Sequence, residues 1–170
     1  MSTGLRTDRL QMNHSDILVA LNMEKGGFEV LECAAAISSV LPVKLTMLYV
    51  VELNVVPFDS RIYDEVCLEY QQKLQALVQG SFEREPRLSI RVGKAHEQIL
   101  AEARESEVQL ILLGMPKEGR LRWLFGPPTV ERVLREAPCL TLVLSESWRA
   151  AAQRLVAKRL DLALMPEGRN

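Results

Sequence analysis

Apolar residues along this chain alternate between two kinds of run. Residues 16–22 (DILVALN) form a short continuous apolar stretch, the pattern of a strand buried on both faces. Gly26 and Gly27 then open a stretch in which Phe28, Leu31, Ala34, Ala35 and Ser38 recur at helical spacing as far as Val40. Pro42 breaks it, and residues 43–51 (VKLTMLYVV) predict a second strand. A loop containing Pro57 follows, after which residues 61–82 place Ile62, Val66, Tyr70, Leu74, Leu77 and Val78 on one helical face. Residues 88–92 alternate as a short strand, and 95–105 predict a helix with Ile99, Leu100 and Ala103 inward. The pattern closes with a strand at 108–114, a helix at 129–136 and a strand at 139–144.

Strands that alternate with helices imply an α/β fold, a five-stranded parallel sheet flanked by helices on both faces. Right-handed crossovers leave few ways to wind such a sheet. Ligands in such sheets sit beyond the carboxyl ends of the strands, where the strand order reverses. The segments to read for chemistry are therefore 22–27, 50–54 and 114–129. Residues 1–15 are polar and predict a disordered tail ahead of one domain at 16–144. The remaining residues, 145–170, form an extension in which Trp148, Ala152, Leu155 and Val156 recur at helical spacing, with Leu160 and Leu164 beyond. Arg149, Arg154, Lys158 and Arg159 make this amphipathic helix basic, and Pro166 ends it. Such a helix is expected to pack on its own fold or across a dimer rather than on a membrane surface.

Composition narrows the class. The chain has 170 residues, 48% hydrophobic and 25% charged, with a formal net charge of −1, so no global charge draws it to nucleic acid. No apolar run is long enough to span a bilayer, and the first fifteen residues lack the apolar segment of a secretory signal. Cys33, Cys67 and Cys139 are odd in number and widely spaced, which reads as reduced thiols in a cytoplasmic protein. His14 and His96 offer no metal site; His96 is expected at the surface or capping its helix. There is no G-x-S-x-G elbow and no G-x4-G-K-[ST] loop, so no catalytic residues are assigned and a non-enzymatic role is expected.

The segment 114–144 carries the most chemistry. An apolar strand ends in Gly114, a basic loop with Lys117, Arg120 and Arg122 follows, and a helix then leads into a second apolar strand. That is the outline of a phosphate site at a helix N-terminus. In this chain Pro127 and Pro128 stand where backbone donors are wanted, and proline has no N–H to give. Trp123 and Phe125 in the same loop need a burial partner, which folding back over the cleft or a protein contact would provide.

DILVALN, LTMLYVVE, VGKAHEQILAEARESEVQLILLG and TVERVLREAPCLTLVL together resemble the universal stress protein family over about residues 16–144. The resemblance implies strand order 3-2-1-4-5 and a homodimer paired through the last strand, here Cys139 to Leu144. It also implies either a nucleotide-binding or a non-binding subtype. The binding subtype carries G-x2-G-x9-G-[ST] after the fourth strand and an aspartate at the end of the first. Gly114 matches the first glycine, but the second falls on Lys117, and the last two positions fall on Pro127 and Pro128. Sliding one residue recovers Gly126 only to place Pro127 at the hydroxyl position, with Thr129 further on. The aspartate position holds Asn22, and Val50 falls beside the base. These eight positions form a degenerate nucleotide site. The expected protein is a non-catalytic, dimeric cytoplasmic stress-response regulator that acts through a protein partner and needs no cofactor. The alternative is a sensor that holds ATP or AMP, with magnesium, through Lys117 and Thr129.

Overall fold

The computed structural model describes residues 16–22, 27–52, 60–115, 129–145 and 147–148. Their elements run β1 (Asp16–Leu21), α1 (Gly27–Val40), β2 (Lys44–Val51), α2 (Ser60–Val78), β3 (Arg87–Val92), α3 (Ala95–Glu105), β4 (Leu110–Gly114), α4 (Thr129–Glu136) and β5 (Leu140–Leu144). The strands form one parallel sheet in the order β3-β2-β1-β4-β5. The layering is that expected from the alternation of runs, and the order is the one the family resemblance implies.

The central strand explains the continuous apolar run. Val19 pairs with Met47 on β2 and with Leu112 on β4, and Leu18 and Val19 are both fully buried. Successive side chains point to opposite faces, so β1 must be apolar at every position. One face packs Ile17, Val19, Met47 and Leu112 against Val30, Leu31 and Ala34 of α1 and Leu74 and Val78 of α2. The other packs Leu18, Leu48, Ile111 and Leu113 against Ile99, Leu100 and Ala103 of α3 and Val133 of α4. Each such fully buried side chain contributes about 1.5–3 kcal/mol.

Two helix faces differ from the sequence pattern. In α1 the inward stripe is Val30, Leu31, Cys33 and Ala34, with Ile37 behind them, and Phe28 is exposed. Phe28 lies far round the helix from that stripe, so a spacing match with Leu31 and Ser38 did not place it inside. In α2 the expected face is buried only in its second half, at Leu74 and Val78, whereas Ile62 is exposed. The 19-residue helix is about 28 Å long, while the six residues of β3 span about 20 Å. Its first turns overhang the sheet.

The helix ends follow local rules. Gly80 (φ 74°) terminates α2 in the left-handed region that glycine enters most easily. After α3, Val108 N–H bonds to the Ala103 carbonyl (3.2 Å) and Glu107 N–H to that of Arg104 (3.3 Å). That is a Schellman ending, with Glu107 at φ 48° in glycine's usual place.

Candidate nucleotide cleft

The strand order reverses between β1 and β4, so the crevice at their carboxyl ends is the candidate site. Asn22 follows β1 directly and is exposed. Val50, near the end of β2, is half-buried and packs against the core beneath α3 and α4. Gly114 ends β4, where it pairs with Leu144 of β5, and the next residue's amide, Met115 N–H, bonds to the Leu144 carbonyl at 2.7 Å. Thr129 is the first residue of α4 and is half-buried. The sheet thus brings Asn22, Val50, Gly114 and Thr129 to one end of the molecule. Lys117, Gly126, Pro127 and Pro128 lie outside the described residues, as do Arg120, Arg122, Trp123 and Phe125.

As described, α4 runs from Thr129 to Glu136. The amides of Thr129, Val130 and Glu131 open its first turn, where an anion is favoured by the helix dipole.

The same end of the sheet holds two contacts that the sequence pattern did not reveal. Glu52, just past β2, accepts the Ala95 N–H at 2.8 Å and so caps α3 from a neighbouring strand. His96 does not cap that helix and is not a surface residue: its ring is 14% exposed. Its Nε2 lies 3.1 Å from the Arg132 guanidinium. Arginine can only donate, so Nε2 accepts and the ring proton sits on Nδ1. His96 and Arg132 join α3 to α4 beside the cleft. Gly93 (φ 141°) keeps the turn after β3 tight, since a Cβ there would lie 3.0 Å from Gln98 Nε2.

A larger polar cluster lies elsewhere, between β3 and α3. Glu102 is 2% exposed, yet its carboxylate is surrounded by donors. Arg91 Nε reaches it at 2.6 Å, Ser89 and Ser106 hydroxyls at 3.0 Å each, and Arg87 Nη2 closes the set. Arg87 also donates to Thr46 Oγ1 (3.2 Å), and Arg91 to Glu105. Burial alone would push the Glu102 carboxyl up; the hydrogen bonds from Arg91, Ser106, Ser89 and Arg87 outweigh it and bring its pKa down to about 2. The alternation Arg87, Ser89, Arg91 along β3 was the available signal, since it puts three polar side chains on the face that α3 covers. This cluster ties down an edge strand and has no part in the cleft.

Among the described residues no group of three or more His, Cys, Asp or Glu is placed to hold a metal ion, and no helix is long and apolar enough to cross a membrane. Burial pushes the Cys33 and Cys139 thiols up, away from the reactive thiolate.

The fold defines a class: a parallel α/β protein with its five strands in the order β3-β2-β1-β4-β5. The universal stress protein family model matches residues 14–145, and the chain belongs to that family. Solved structures agree on the fold. The universal stress protein UspA from Lactobacillus plantarum is 20% identical, with a TM-score of 0.59 over 77% of this chain and 97% of that one. A universal stress protein in complex with cAMP is 14% identical (TM-score 0.58, covering 78% and 97%). One from Archaeoglobus fulgidus in complex with dAMP is 16% identical (TM-score 0.56, covering 78% and 98%). A search of curated proteins returns no significant match.

Proposed function

We infer that this member of the stress-response family is a non-catalytic cytoplasmic regulator, dimeric through β5, whose nucleotide cleft is weakened and whose output is a protein contact. The observation that carries the reading is position 22. The cleft residue that follows β1 is Asn22, where the family's nucleotide-binding subtype has an aspartate. Asparagine keeps an acceptor but loses the charge that makes hydrogen bonds to a ribose or a base strong. Pro127 and Pro128 then withhold two donors from the loop that would approach a phosphate. Losing two or three such contacts, at about 1–3 kcal/mol each, moves a micromolar site towards the millimolar range.

A second reading is favoured by one feature. The amides of Thr129, Val130 and Glu131 in α4 follow the prolines in sequence and could still meet a phosphate. Relatives of the same fold have been solved with cAMP and with dAMP. In that reading Lys117 and Thr129 hold the phosphates, Val50 lies beside the base, and the protein is an ATP or AMP sensor.

Titration calorimetry of the full chain with ATP and magnesium separates the two. Silence up to millimolar nucleotide supports the regulator, and micromolar heat overturns it in favour of the sensor. The variants Asn22→Asp and Pro127→Gly with Pro128→Ser assign the cause, since each should restore affinity if its position is a block. Magnesium-dependent turnover abolished by Lys117→Ala would overturn both readings and make the protein an enzyme.

A further inference from the structure

A cavity of about 690 Å³ lies at the amino ends of β1, β2 and β3, the opposite end of the sheet from the nucleotide cleft. Small-molecule sites usually fall within roughly 300–1,000 Å³. Its walls are mixed: Leu41, Val43 and Pro86 are apolar, while Asp16, Arg84 and Arg87 are charged. Leu18 and Leu48 face α3, and side chains alternate along a strand. Asp16, Lys44 and Thr46 therefore share the α3 face with Arg87, whose Nε donates to Thr46 Oγ1 at 3.2 Å.

The charges in this cavity are incompletely paired. Asp16 is half-buried, and its Oδ1 is buried with no hydrogen-bond partner among the described residues. A desolvated carboxylate oxygen is normally given a donor. Lys44 is its neighbour in register, yet among the described residues neither Lys44 nor Arg84 enters an ion pair. Arg87 uses Nε on Thr46 and Nη2 on Glu102 and Ser106, which leaves Nη1 without a partner on a side chain 55% exposed. At the Asp16 side, α1 ends against the cavity with no basic residue in its last turn. The negative end of its dipole therefore favours a cation there. The cavity is acceptor-rich at one end and donor-rich at the other.

We propose that this cavity binds di- or tripeptides as zwitterions. The terminal ammonium donates to Asp16, and the terminal carboxylate accepts from Arg87 Nη1 and from Arg84. An anion alone would leave Asp16 without a donor, and a cation alone would leave both guanidinium groups unmet. Two strand spacings and two residues separate the Cα atoms of Asp16 and Arg87, a span of roughly 12 Å. Two or three extended residues cover about 7–10 Å, and the two charged side chains take up the difference. Leu41, Val43 and Pro86 offer apolar surface to the peptide's side chains. The site shares no residue with the nucleotide cleft, so it does not depend on the reading of that cleft.

The test titrates the isotope-labelled full chain with alanylleucine and alanylleucylalanine, and with their N-acetyl and C-terminal amide forms, following backbone amide shifts. A free peptide should give saturable shifts centred on residues 38–46, 83–87 and 106–108, with a Kd below about 1 mM. Blocking either terminus should weaken binding about tenfold or more, because each charge-assisted contact is lost whole. Asp16→Asn should weaken the free peptide about tenfold and leave the N-acetyl form unchanged; Arg84→Gln should weaken the free peptide and leave the amide unchanged. No saturable shift up to about 10 mM overturns the proposal. Shifts centred elsewhere, or blocked peptides that bind as well as free ones, overturn it too. If Asp16→Asn lowers the thermal melt, the blocked peptides on the wild-type chain decide alone.

Discussion

The two edges of the sheet are built in opposite ways. At the β3 edge, Arg87, Ser89 and Arg91 face α3, and the buried carboxylate of Glu102 gathers them into a charged seam. At the β5 edge the corresponding strand is LTLVL, with Leu140 and Leu142 largely uncovered. An edge strand presents unpaired backbone groups, and inward charge is one way of blocking another chain from adding to it. An apolar edge is an invitation instead. One sheet thus carries a charged, covered edge on one side and an apolar, uncovered one on the other, with side-chain choice distinguishing the two.

Removing the charge at the closed edge should have the largest effect. Glu102→Ala leaves the guanidinium groups of Arg87 and Arg91 without their shared partner. Breaking a fully buried pair costs about 3–5 kcal/mol. Here Arg87 is 55% exposed and can turn to water, so a loss of about 2–3 kcal/mol is expected. Thermal unfolding should show it as a fall of several degrees in Tm.

Acid should act on the same edge. The Glu102 pKa is about 2 in the folded state, against roughly 4.3 when unfolded. A carboxyl whose folded pKa is depressed stabilises the fold fully above the unfolded value, and that stabilisation is lost as pH falls through the folded one. Urea midpoints of the wild type should therefore drop more steeply between about pH 4.5 and 2 than those of Glu102→Gln. Parallel curves would show that the carboxylate carries no such linkage.

On the other face of the same edge, Tyr70 of α2 stacks on Tyr49 of β2, with ring centroids 5.1 Å apart. An aromatic pair adds about 0.5–1.5 kcal/mol beyond the area it buries. Tyr70→Leu keeps much of the apolar area, so a loss of about 1 kcal/mol in chemical denaturation is expected.

The smallest effect on folding, and the largest on assembly, belongs to the open edge. Leu140→Lys should change the stability of the fold by no more than about 0.5 kcal/mol, because the side chain is already in water. Light scattering should nevertheless find the dimer proposed through β5 shifted towards monomer. A dimer that persists unchanged would place its interface elsewhere.

Much of this was legible from residue order. Continuous apolar runs marked β1, β2 and β4, because a strand buried on both faces has little room for polar positions; β5 showed the same kind of run although Leu140 and Leu142 stay exposed. The break at Pro42 and the run at 129–136 placed helices where they are found. Phe28 misled because it lies far round α1 from the buried stripe, and Ile62 because spacing shows which residues share a helical face but not how far the sheet extends beneath it. His96 misled for a third reason, since its partner Arg132 is 36 residues away and meets it only once α3 and α4 are side by side.

The candidate site divides along the same line. The sequence by itself determined the α/β class, the strand count, the family, and the substitutions at Asn22, Pro127 and Pro128, because these depend on residue type and local period. Only the tertiary structure decided that Glu52 caps α3 and that Glu102 is buried among two arginines and two serines. It also decided which leucines of β5 remain uncovered. Those are contacts between segments distant along the chain, and no local pattern encodes the geometry that brings them together.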